Sequence, residues 1–273
     1  MTQWDIEDIT PALRDSPPDR RNQVWRDWYN HLISQLDNCD YRFMNYGYLG
    51  REGPELEPSD EADRIFIELY QVTLGGTDLT DKDVLDISSG LGGGAYWISR
   101  TCQPSSLVGM DLSPEAVGLC SKRYSDQHNL RFVVGDAESL PFPDNSFDVV
   151  YNIEASHCYT NFDVFLREVF RVLRAGGVFC WSDFQSRTSM EKIESDFENA
   201  GLDIVSLNDI TDGVLRSLDL VHKAISEGKL DSNQIIWSSD TDSLQDVIQE
   251  FAGDGRSYHC CNLSKKNYIG SKI

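Results

Sequence analysis

The middle of the chain alternates between short apolar runs and segments in which apolar residues recur at helical spacing. Parallel strands need crossover connections, which are usually helices, so this alternation predicts a mostly parallel sheet with helices on both faces. We expect a doubly wound α/β core of seven strands, two of them near the C-terminus. The five central strands are predicted at Val84–Ile87, Leu107–Met110, Leu130–Val134, Phe147–Asn152 and Gly177–Ser182, and the helices between them at Gly94–Thr101, Pro114–Tyr124 and Val164–Leu173.

The segments that flank this core have a different pattern. Residues 1–80 are rich in aromatic residues and are interrupted by turn-forming residues such as Pro17 and Pro18, which is typical of helices separated by turns. We expect an N-terminal helical cap or lid over residues 1–80 and a core over residues 81–273 with a helical insertion near 210–252. The flanking helices are predicted at Arg21–Leu36, Asp60–Leu74, Met190–Ala200, Asp212–Glu227 and Leu244–Phe251, and the last two strands at Leu202–Leu207 and Arg256–Leu263.

The net charge of the chain limits which classes of molecule it is expected to bind. With 45 acidic and 24 basic residues the formal net charge is -21, and such a field repels nucleic acids and anionic membrane surfaces. The seven cysteines form no CxxC pair, which favours a reducing compartment and implies no structural zinc. The sequence has no basic, apolar leader and no run of about 18 apolar residues. We therefore expect a cytoplasmic protein that acts on a small molecule, without nucleic acid, membrane span or metal.

A glycine-rich turn follows the first of these strands. Gly90, Gly92 and Ala95 fit the G-x-G-x-x-A pattern, in which small residues let a ligand approach the N-terminus of a helix. Asp86 ends the preceding strand, and a carboxylate at that place repels a pyrophosphate. It favours a cationic ligand, and S-adenosylmethionine (SAM) carries a sulfonium and an amino group. The glycines alone leave open a nicotinamide cofactor or a tight connection without a ligand.

Two more acids stand at the ends of the next two strands. Asp111, followed by Leu112, ends the second strand, where an acid can accept both ribose hydroxyls. Asp136 follows the third strand between Gly135 and Ala137. Its carboxylate can accept the exocyclic amine of adenine, and the small alanine leaves room for the ring. Since ligands of open α/β sheets bind at the carboxyl ends of the strands, these acids predict one cofactor site.

These motifs resemble those of class I SAM-dependent methyltransferases. The resemblance covers about residues 80–185 and is carried by Asp86–Gly94, Asp111, Gly135–Ala137 and Arg171–Gly177. It implies a Rossmann-like fold, SAM as the methyl donor and S-adenosyl-L-homocysteine (SAH) as its product. Ser88 departs from the family pattern, in which most members have glycine, so we expect the turn to be reshaped around the methionine portion of SAM.

A closer resemblance extends over more of the chain, mainly before Phe184. It is carried by Val24–Tyr29, Asn45–Tyr48, Ser59–Arg64, Ser89–Gly94 and Glu154–Tyr159. These segments look like the phthiotriol/phenolphthiocerol dimycocerosate methyltransferases and similar polyketide-tailoring enzymes. The resemblance implies O-methylation of a secondary hydroxyl on a long lipid or polyketide.

One histidine is the candidate base. An aliphatic alcohol is a poor nucleophile until its proton is removed, so its methylation calls for a base, usually histidine. Among five histidines, His157 alone follows a strand on the expected side of the sheet, and a histidine titrates near neutral pH. The alternative is a buried loop histidine bonded to backbone. Asp183 ends the fifth strand and either orients the imidazole of His157 or caps the following helix.

Four more residues are candidates near the reacting groups. Glu154 is expected to accept from the amino group of SAM or to aid the base. Asn152 is expected to bond near the same end of SAM or to form a strand-end turn. Tyr46 and Tyr48 lie in a glycine-containing loop, where they belong either to the core or to a lid that closes over SAM and excludes water.

Together these features predict a SAM-dependent O-methyltransferase acting on a hydroxyl of a hydrophobic, polyketide- or lipid-like natural product, with His157 as general base. The acceptor and the oligomeric state stay open at this point. The main alternative is a C- or N-methyltransferase acting on a sterol, quinone or amine. Alternatives from other classes are a SAM-binding protein without catalysis and a nicotinamide oxidoreductase.

Overall fold

The computed structural model describes residues 9–17, 20–34, 41–51, 53, 55–229, 241–253 and 255–266. The helices are α1 (Thr10–Asp15), α2 (Arg21–Ser34), α3 (Arg64–Leu74), α4 (Gly93–Thr101), α5 (Pro114–Arg123), α6 (Phe162–Val172), α7 (Met190–Asn199), α8 (Thr211–Ser226) and α9 (Thr241–Ala252). The strands are β1 (Asp83–Ile87), β2 (Ser106–Asp111), β3 (Leu130–Val134), β4 (Phe147–Ile153), β5 (Leu173–Ser186), β6 (Leu202–Asp209) and β7 (Arg256–Lys265). Within the described ranges, no helix is long and apolar enough to cross a bilayer.

The strands form one sheet in the order β3-β2-β1-β4-β5-β7-β6. Strands β1 to β5 are parallel, and β7 runs antiparallel between β5 and β6. The chain order reverses between the neighbours β1 and β4, and such a switch point opens a crevice at the carboxyl ends of the strands. The structure confirms the predicted doubly wound, mostly parallel seven-stranded sheet.

Helices cover both faces of this sheet and bury a hydrophobic layer on each side. Successive strand residues point to opposite faces, so Val84 of β1 belongs to one layer and Leu85 to the other. The first layer includes residues of α3, α4, α8 and α9, and the second includes residues of α6 and α7. Burial on both faces explains why β1 and β4 are nearly continuous apolar runs.

Strand β5 is longer than the sequence pattern predicts. It begins at Leu173 instead of Gly177, because it pairs with β4 on both sides of a β-bulge. It continues to Ser186, because its pairing with β7 extends to that residue. Asp183 therefore lies inside the strand, and α7 begins only at Met190. The expectation that Asp183 caps the following helix is wrong.

The N-terminal region contributes helices to two different places. Helix α3 packs against β4, β5 and β7 and adds to the first hydrophobic layer, whereas α2 packs against α5. Helix α3 begins at Arg64, after the 3-10 turn Glu61–Asp63, and thus later than the predicted Asp60. The predicted end of the earlier helix, Leu36, and Cys39 lie outside the described residues. The domain division at residue 80 stays a prediction.

Candidate active site

The turn between β1 and α4 is built on left-handed backbone conformations. Ser88, Gly90 and Gly92 have φ angles of 61°, 54° and 75°, in the region that favours glycine. A Cβ at Gly92 would lie 2.8 Å from Cζ of Phe132, so both conformation and space require glycine there. Glycine at these positions therefore lets the turn adopt its left-handed conformations and pack closely against its neighbours.

Ser88 holds a conformation that is strained for a residue with a side chain. Its Oγ lies 2.7 Å from the hydroxyl of Tyr159, which also accepts a 2.8 Å hydrogen bond from Nδ2 of Asn152. The same amide of Asn152 donates to the carbonyl of Ile87 at 2.9 Å. This network ties the serine-containing turn to β4 and to the loop that follows it.

A cavity opens at the carboxyl ends of β1 to β4, with about 960 Å³ of empty space including its mouth. The glycine turn, the loops after β2, β3 and β4, and one face of α2 form its walls. The predicted cofactor residues that line it are Ser88, Gly90, Asp111, Leu112, Gly135, Asp136, Ala137 and Glu154. The lining residues of α2 are Asn22, Trp25, Tyr29 and Ile33, which share one helical face.

Asp111 ties the glycine turn to β2. Its Oδ2 accepts a 2.8 Å hydrogen bond from the amide of Gly90, and its Oδ1 accepts one of 2.9 Å from the amide of Ser113. Burial raises the pKa of Asp111 to about 6, although the backbone hydrogen bonds lower it. Because a carboxylate oxygen can accept more than one hydrogen bond, both oxygens can still accept from ribose hydroxyls.

Asp136 connects the loop after β3 to helix α2. Its Oδ1 accepts a 2.9 Å hydrogen bond from the amide of Glu138, and its Oδ2 accepts one of 2.9 Å from Nδ2 of Asn22. Oδ1 of Asn22 in turn accepts a 3.1 Å hydrogen bond from Oγ1 of Thr160. The acid predicted for adenine is thus present in the cavity wall, with a side chain of α2 bonded to it.

Glu154 is a partly buried carboxyl of the cavity lining, just past β4. Its backbone φ is 50°, and its two oxygens lie 3.1 and 3.0 Å from the amide of Tyr46. The hydroxyl of Tyr258 donates to Oε2 at 2.8 Å. Burial raises the pKa of Glu154 to about 8, and these hydrogen bonds offset only part of that effect. The side chain therefore holds a proton at neutral pH.

His157 lies in a 3-10 turn, Ser156–Cys158, that follows β4. Its Nδ1 is 2.8 Å from Oδ1 of Asp183, whose side chain is fully buried while that of His157 is 28% exposed. Oδ2 of the same carboxylate accepts from Oγ of Ser156 at 2.6 Å and from the amide of His157 at 2.9 Å. The ring also packs on Phe184, with 4.3 Å between ring centres. These contacts hold the imidazole in one orientation and leave Nε2 as its other polar atom.

The charges around His157 favour its protonated form. Burial lowers the pKa of the imidazole, but the interactions with Cys158 and Asp183 outweigh burial and hold the pKa of His157 well above its usual range. The raised pKa means that more of the imidazole is protonated at a given pH than in a free histidine. His157 itself is not among the described lining residues of the cavity, but Ala155, two residues before it, and Cys158, directly after it, are.

Three predicted cofactor residues lie behind the cavity wall instead of on it. Asp86 is buried inside β1 beside the hydroxyl of Tyr151, and burial holds its pKa well above the usual range. Gly92 lies under Phe132, and Asn152 reaches the cavity only through its bond to Tyr159. Direct contact of these three with a cofactor stays a prediction.

The two tyrosines expected in a lid belong to the core. Tyr46 stacks on Phe184 with 5.5 Å between ring centres, and Tyr48 packs against Gly213 of α8. Neither side chain is among the described residues that line the cavity, and a role of either tyrosine in a lid stays a prediction. Their chain neighbours, Met44 and Asn45, do line the cavity.

Sequence reasoning missed the part of the cavity that α2 provides. The spacing of Trp25 and Tyr29 predicts a shared helical face, but core packing explains aromatic residues at that spacing equally well. Tyr159 and Cys158 were also missed as lining residues. They are the two residues after His157, and their place in the wall depends on the conformation of that loop.

The cavity suits a cationic ligand that carries hydroxyl groups. Among its described lining residues, Arg42 is the one basic side chain, and Asp111, Asp136, Glu138 and Glu154 are acidic. Oγ of Ser89 is buried and has no hydrogen-bond partner among the described residues, so it is available to a ligand. A seven-stranded sheet with an antiparallel β7, together with this acidic cavity at its switch point, defines the class I SAM-dependent methyltransferases.

Comparisons with known proteins agree with that class. A family model for a methyltransferase domain matches residues 85–181. The probable phthiotriol/phenolphthiotriol dimycocerosates methyltransferase 2 of Mycobacterium ulcerans is 43% identical over 202 residues, covering 72% of this chain and 77% of that protein. A fatty-acid O-methyltransferase of Mycolicibacterium smegmatis is 37% identical over 235 residues, with 84% of this chain and 82% of that protein covered.

Among solved structures, the geranyl diphosphate C-methyltransferase of Streptomyces coelicolor A3(2), in complex with SAH, has a TM-score of 0.70 at 15% identity. The match covers 92% of this chain and 100% of that one, and it shows the shared fold. From its curated relatives, the chain belongs to the phthiotriol/phenolphthiotriol dimycocerosates methyltransferase family of SAM-dependent enzymes. It is a methyltransferase with SAM as its cofactor.

Proposed function

We propose that the chain transfers a methyl group from SAM to a hydroxyl of a hydrophobic, lipid- or polyketide-like natural product in the cytoplasm, with His157 as general base. The observation that supports the base is the 2.8 Å contact between Nδ1 of His157 and Oδ1 of Asp183, which leaves Nε2 to accept a proton. The relatives named for phthiotriol/phenolphthiotriol dimycocerosates and for a fatty acid support a hydrophobic acceptor.

Three acids of the cavity are assigned to the cofactor by their chemistry. Asp111 accepts the ribose hydroxyls, Asp136 accepts the adenine amine, and Glu154 faces the positively charged methionine part. When bound, SAM supplies the methyl group as an electrophile. Because a nearby cation favours an ionised carboxylate, Glu154 loses its proton as the cofactor binds.

His157 removes the proton that the acceptor must lose. With SAM bound, Nε2 would take the hydroxyl proton while the acceptor oxygen takes the methyl group, and the methyl–sulfur bond would break to leave SAH. Nδ1 then donates to Asp183, whose charge stabilises the imidazolium and whose position fixes the tautomer. The hydrogen bonds from Ser156 and from the His157 amide hold that carboxylate in place. General base catalysis of this kind contributes about 10²–10⁴-fold in rate.

Methylation of a carboxylate is a second candidate, which the raised pKa of His157 favours. An imidazolium cannot remove a proton, but it attracts an anionic acceptor that is already nucleophilic. The guanidinium of Arg256 lies 5.1 Å from the ring centre of Phe184. Because His157 packs on the same ring, a second cationic side chain lies near His157. The first candidate yields a methyl ether and the second a methyl ester.

Labelled SAM, offered with a long-chain secondary alcohol or a long-chain fatty acid, separates these candidates, because alkali cleaves esters and leaves ethers. In His157→Ala we expect kcat with the alcohol to fall about 100-fold or more, with SAH affinity changed by less than about twofold. His259→Ala is the matched control, because His259 of β7 lies near a different carboxylate, Asp209, at 4.0 Å.

Each contrary outcome of this assay has a distinct meaning. An alkali-labile product formed from the fatty acid alone supports the carboxylate candidate, and His157→Ala then raises KM more than it lowers kcat. A methyl group bound to carbon or nitrogen, identified by mass spectrometry, refutes both forms of O-methylation. An undiminished kcat in His157→Ala refutes the role of His157 as general base.

A further inference from the structure

Asn22, in the first turn of α2, joins three parts of the molecule. Its Nδ2 donates to Oδ2 of Asp136 at 2.9 Å, across 114 residues of sequence. Its Oδ1 accepts from Oγ1 of Thr160 at 3.1 Å, across 138 residues. Asp136 belongs to the loop after β3, and Thr160 to the loop that carries His157. One side chain thus links α2 to both the cofactor wall and the loop that carries the candidate base.

Asp136 fixes the direction in which the amide of Asn22 points. A carboxylate only accepts hydrogen bonds, so the amide nitrogen and not the oxygen must face it. The hydroxyl of Thr160 can donate and therefore suits the amide oxygen. Beyond these two bonds the amide has one further N–H and one further lone pair, and Asn22 lines the cavity.

We propose that Asn22 is a positioning residue that recognises the adenine of SAM together with Asp136 and thereby holds α2 over the bound cofactor. This inference rests on the placement of adenine at Asp136 in the proposed function. Adenine presents its amine, a donor, beside a ring nitrogen that accepts, and the side-by-side donor and acceptor of asparagine match that pair. Hypoxanthine has a carbonyl in place of the amine, so an amide held in one direction no longer matches it.

The same contact couples the recognition of adenine to the position of α2. Trp25, Tyr29 and Ile33 lie on the same helical face as Asn22 and line the cavity, so a bond between Asn22 and adenine keeps this face in place. A second polar contact of the helix provides a control. Oγ of Ser113 donates to Oδ1 of Asn30 at 2.6 Å, and Asn30 is not among the described residues that line the cavity.

Calorimetric titration of the full chain with SAH and with S-inosyl-L-homocysteine, its hypoxanthine counterpart, tests the proposal. We expect Asn22→Ala to weaken SAH binding about tenfold, as for the loss of one hydrogen bond, and to change binding of the inosyl ligand by less than about twofold. The preference for adenine then falls by about fivefold or more. Asn30→Ala should weaken both ligands equally and keep the preference. Asn22→Leu, of nearly equal size and without polar side-chain atoms, replaces the alanine variant if that variant does not fold.

Asp136→Asn separates the failure of this inference from that of the proposed function. If the preference for adenine falls in Asp136→Asn but not in the Asn22 variants, Asn22 has no such role and the cofactor placement stands. If it falls in neither, the placement at Asp136 is refuted as well. Hydrogen–deuterium exchange of residues 21–34 reports on the helix. We expect SAH to slow exchange less in Asn22→Ala than in wild type or Asn30→Ala, and equal protection in all three would refute the coupling.

Discussion

Replacing Glu154 with glutamine tests whether this partly buried carboxyl holds a proton in the folded chain. Burial raises its pKa to about 8 from an ordinary value of 4.5. Glutamine has the shape of the protonated acid. Its Oε1 can accept from the amide of Tyr46, and its Nε2 can donate to the oxygen of Tyr258, which is able to accept. The variant therefore keeps the contacts of the wild type and loses only the titration.

The magnitude follows from the difference between the folded and unfolded pKa. Between pH 4.5 and about 8 the folded chain holds a proton that the unfolded chain has lost, so the free energy of unfolding falls as pH rises. About 3.5 pH units at about 1.4 kcal/mol each correspond to about 5 kcal/mol. We expect Glu154→Gln to match the wild type near pH 5 and to be more stable by several kcal/mol at pH 8.

Urea unfolding followed by circular dichroism at several pH values between 5 and 8 measures this difference. Glu168→Gln is a control of opposite sign, because its hydrogen bond to Arg171 lowers the pKa of Glu168. Its wild-type carboxylate adds stability that is fully present above the unfolded pKa, so that variant should be less stable than wild type by a nearly constant amount between pH 5 and 8. If the difference between Glu154→Gln and wild type does not change with pH, Glu154 is ionised in the folded chain and the reasoning fails.

Three other predictions concern the same site. Asp183→Asn should lower the pKa of His157 and destabilise the chain by about 2–4 kcal/mol, because an amide cannot accept from all the donors around Asp183; an unchanged imidazole titration by nuclear magnetic resonance would contradict the pairing. Ser88→Ala keeps the left-handed strain and loses the contact with Tyr159, so we expect urea unfolding to show a loss of about 1 kcal/mol. Ser88→Gly loses the same contact but relieves about 1 kcal/mol of strain and should stay near wild type; equal losses in both variants would argue against the strain. SAM binding at pH 7.5 should release more protons than SAH binding, because the sulfonium adds a positive charge near Glu154; equal release, measured by calorimetry in two buffers of different ionisation enthalpy, would argue against that placement.

The sheet and the cofactor acids were predictable because each depends on local pattern and topology. Strand β3 spans the predicted Leu130–Val134, since turn residues bound an apolar run there. The acids at the ends of β2 and β3 meet at one edge because parallel strands place their carboxyl ends together. The shared cavity of Asp111 and Asp136 could therefore be predicted without any knowledge of the tertiary contacts.

The remaining features depend on contacts that no local pattern encodes. Asn22 approaches Asp136 across 114 residues, and its own segment carries no signal for that partner. Tyr46 lies in the core because Phe184 of β5 packs on it, although glycines beside it are typical of a mobile loop. The raised pKa of Glu154 comes from burial, which only the folded arrangement produces.

The pH dependence of kcat for methyl transfer to a long-chain secondary alcohol tests the assignment of His157 most directly. Because interactions with Cys158 and Asp183 hold the pKa of His157 above its usual range, the neutral, active form is scarce at low pH. We predict that kcat rises about tenfold per pH unit below this pKa and levels off above it, and that the profile moves to lower pH in Asp183→Asn. A kcat that is independent of pH between 6 and 9, in wild type and variant alike, would contradict the account.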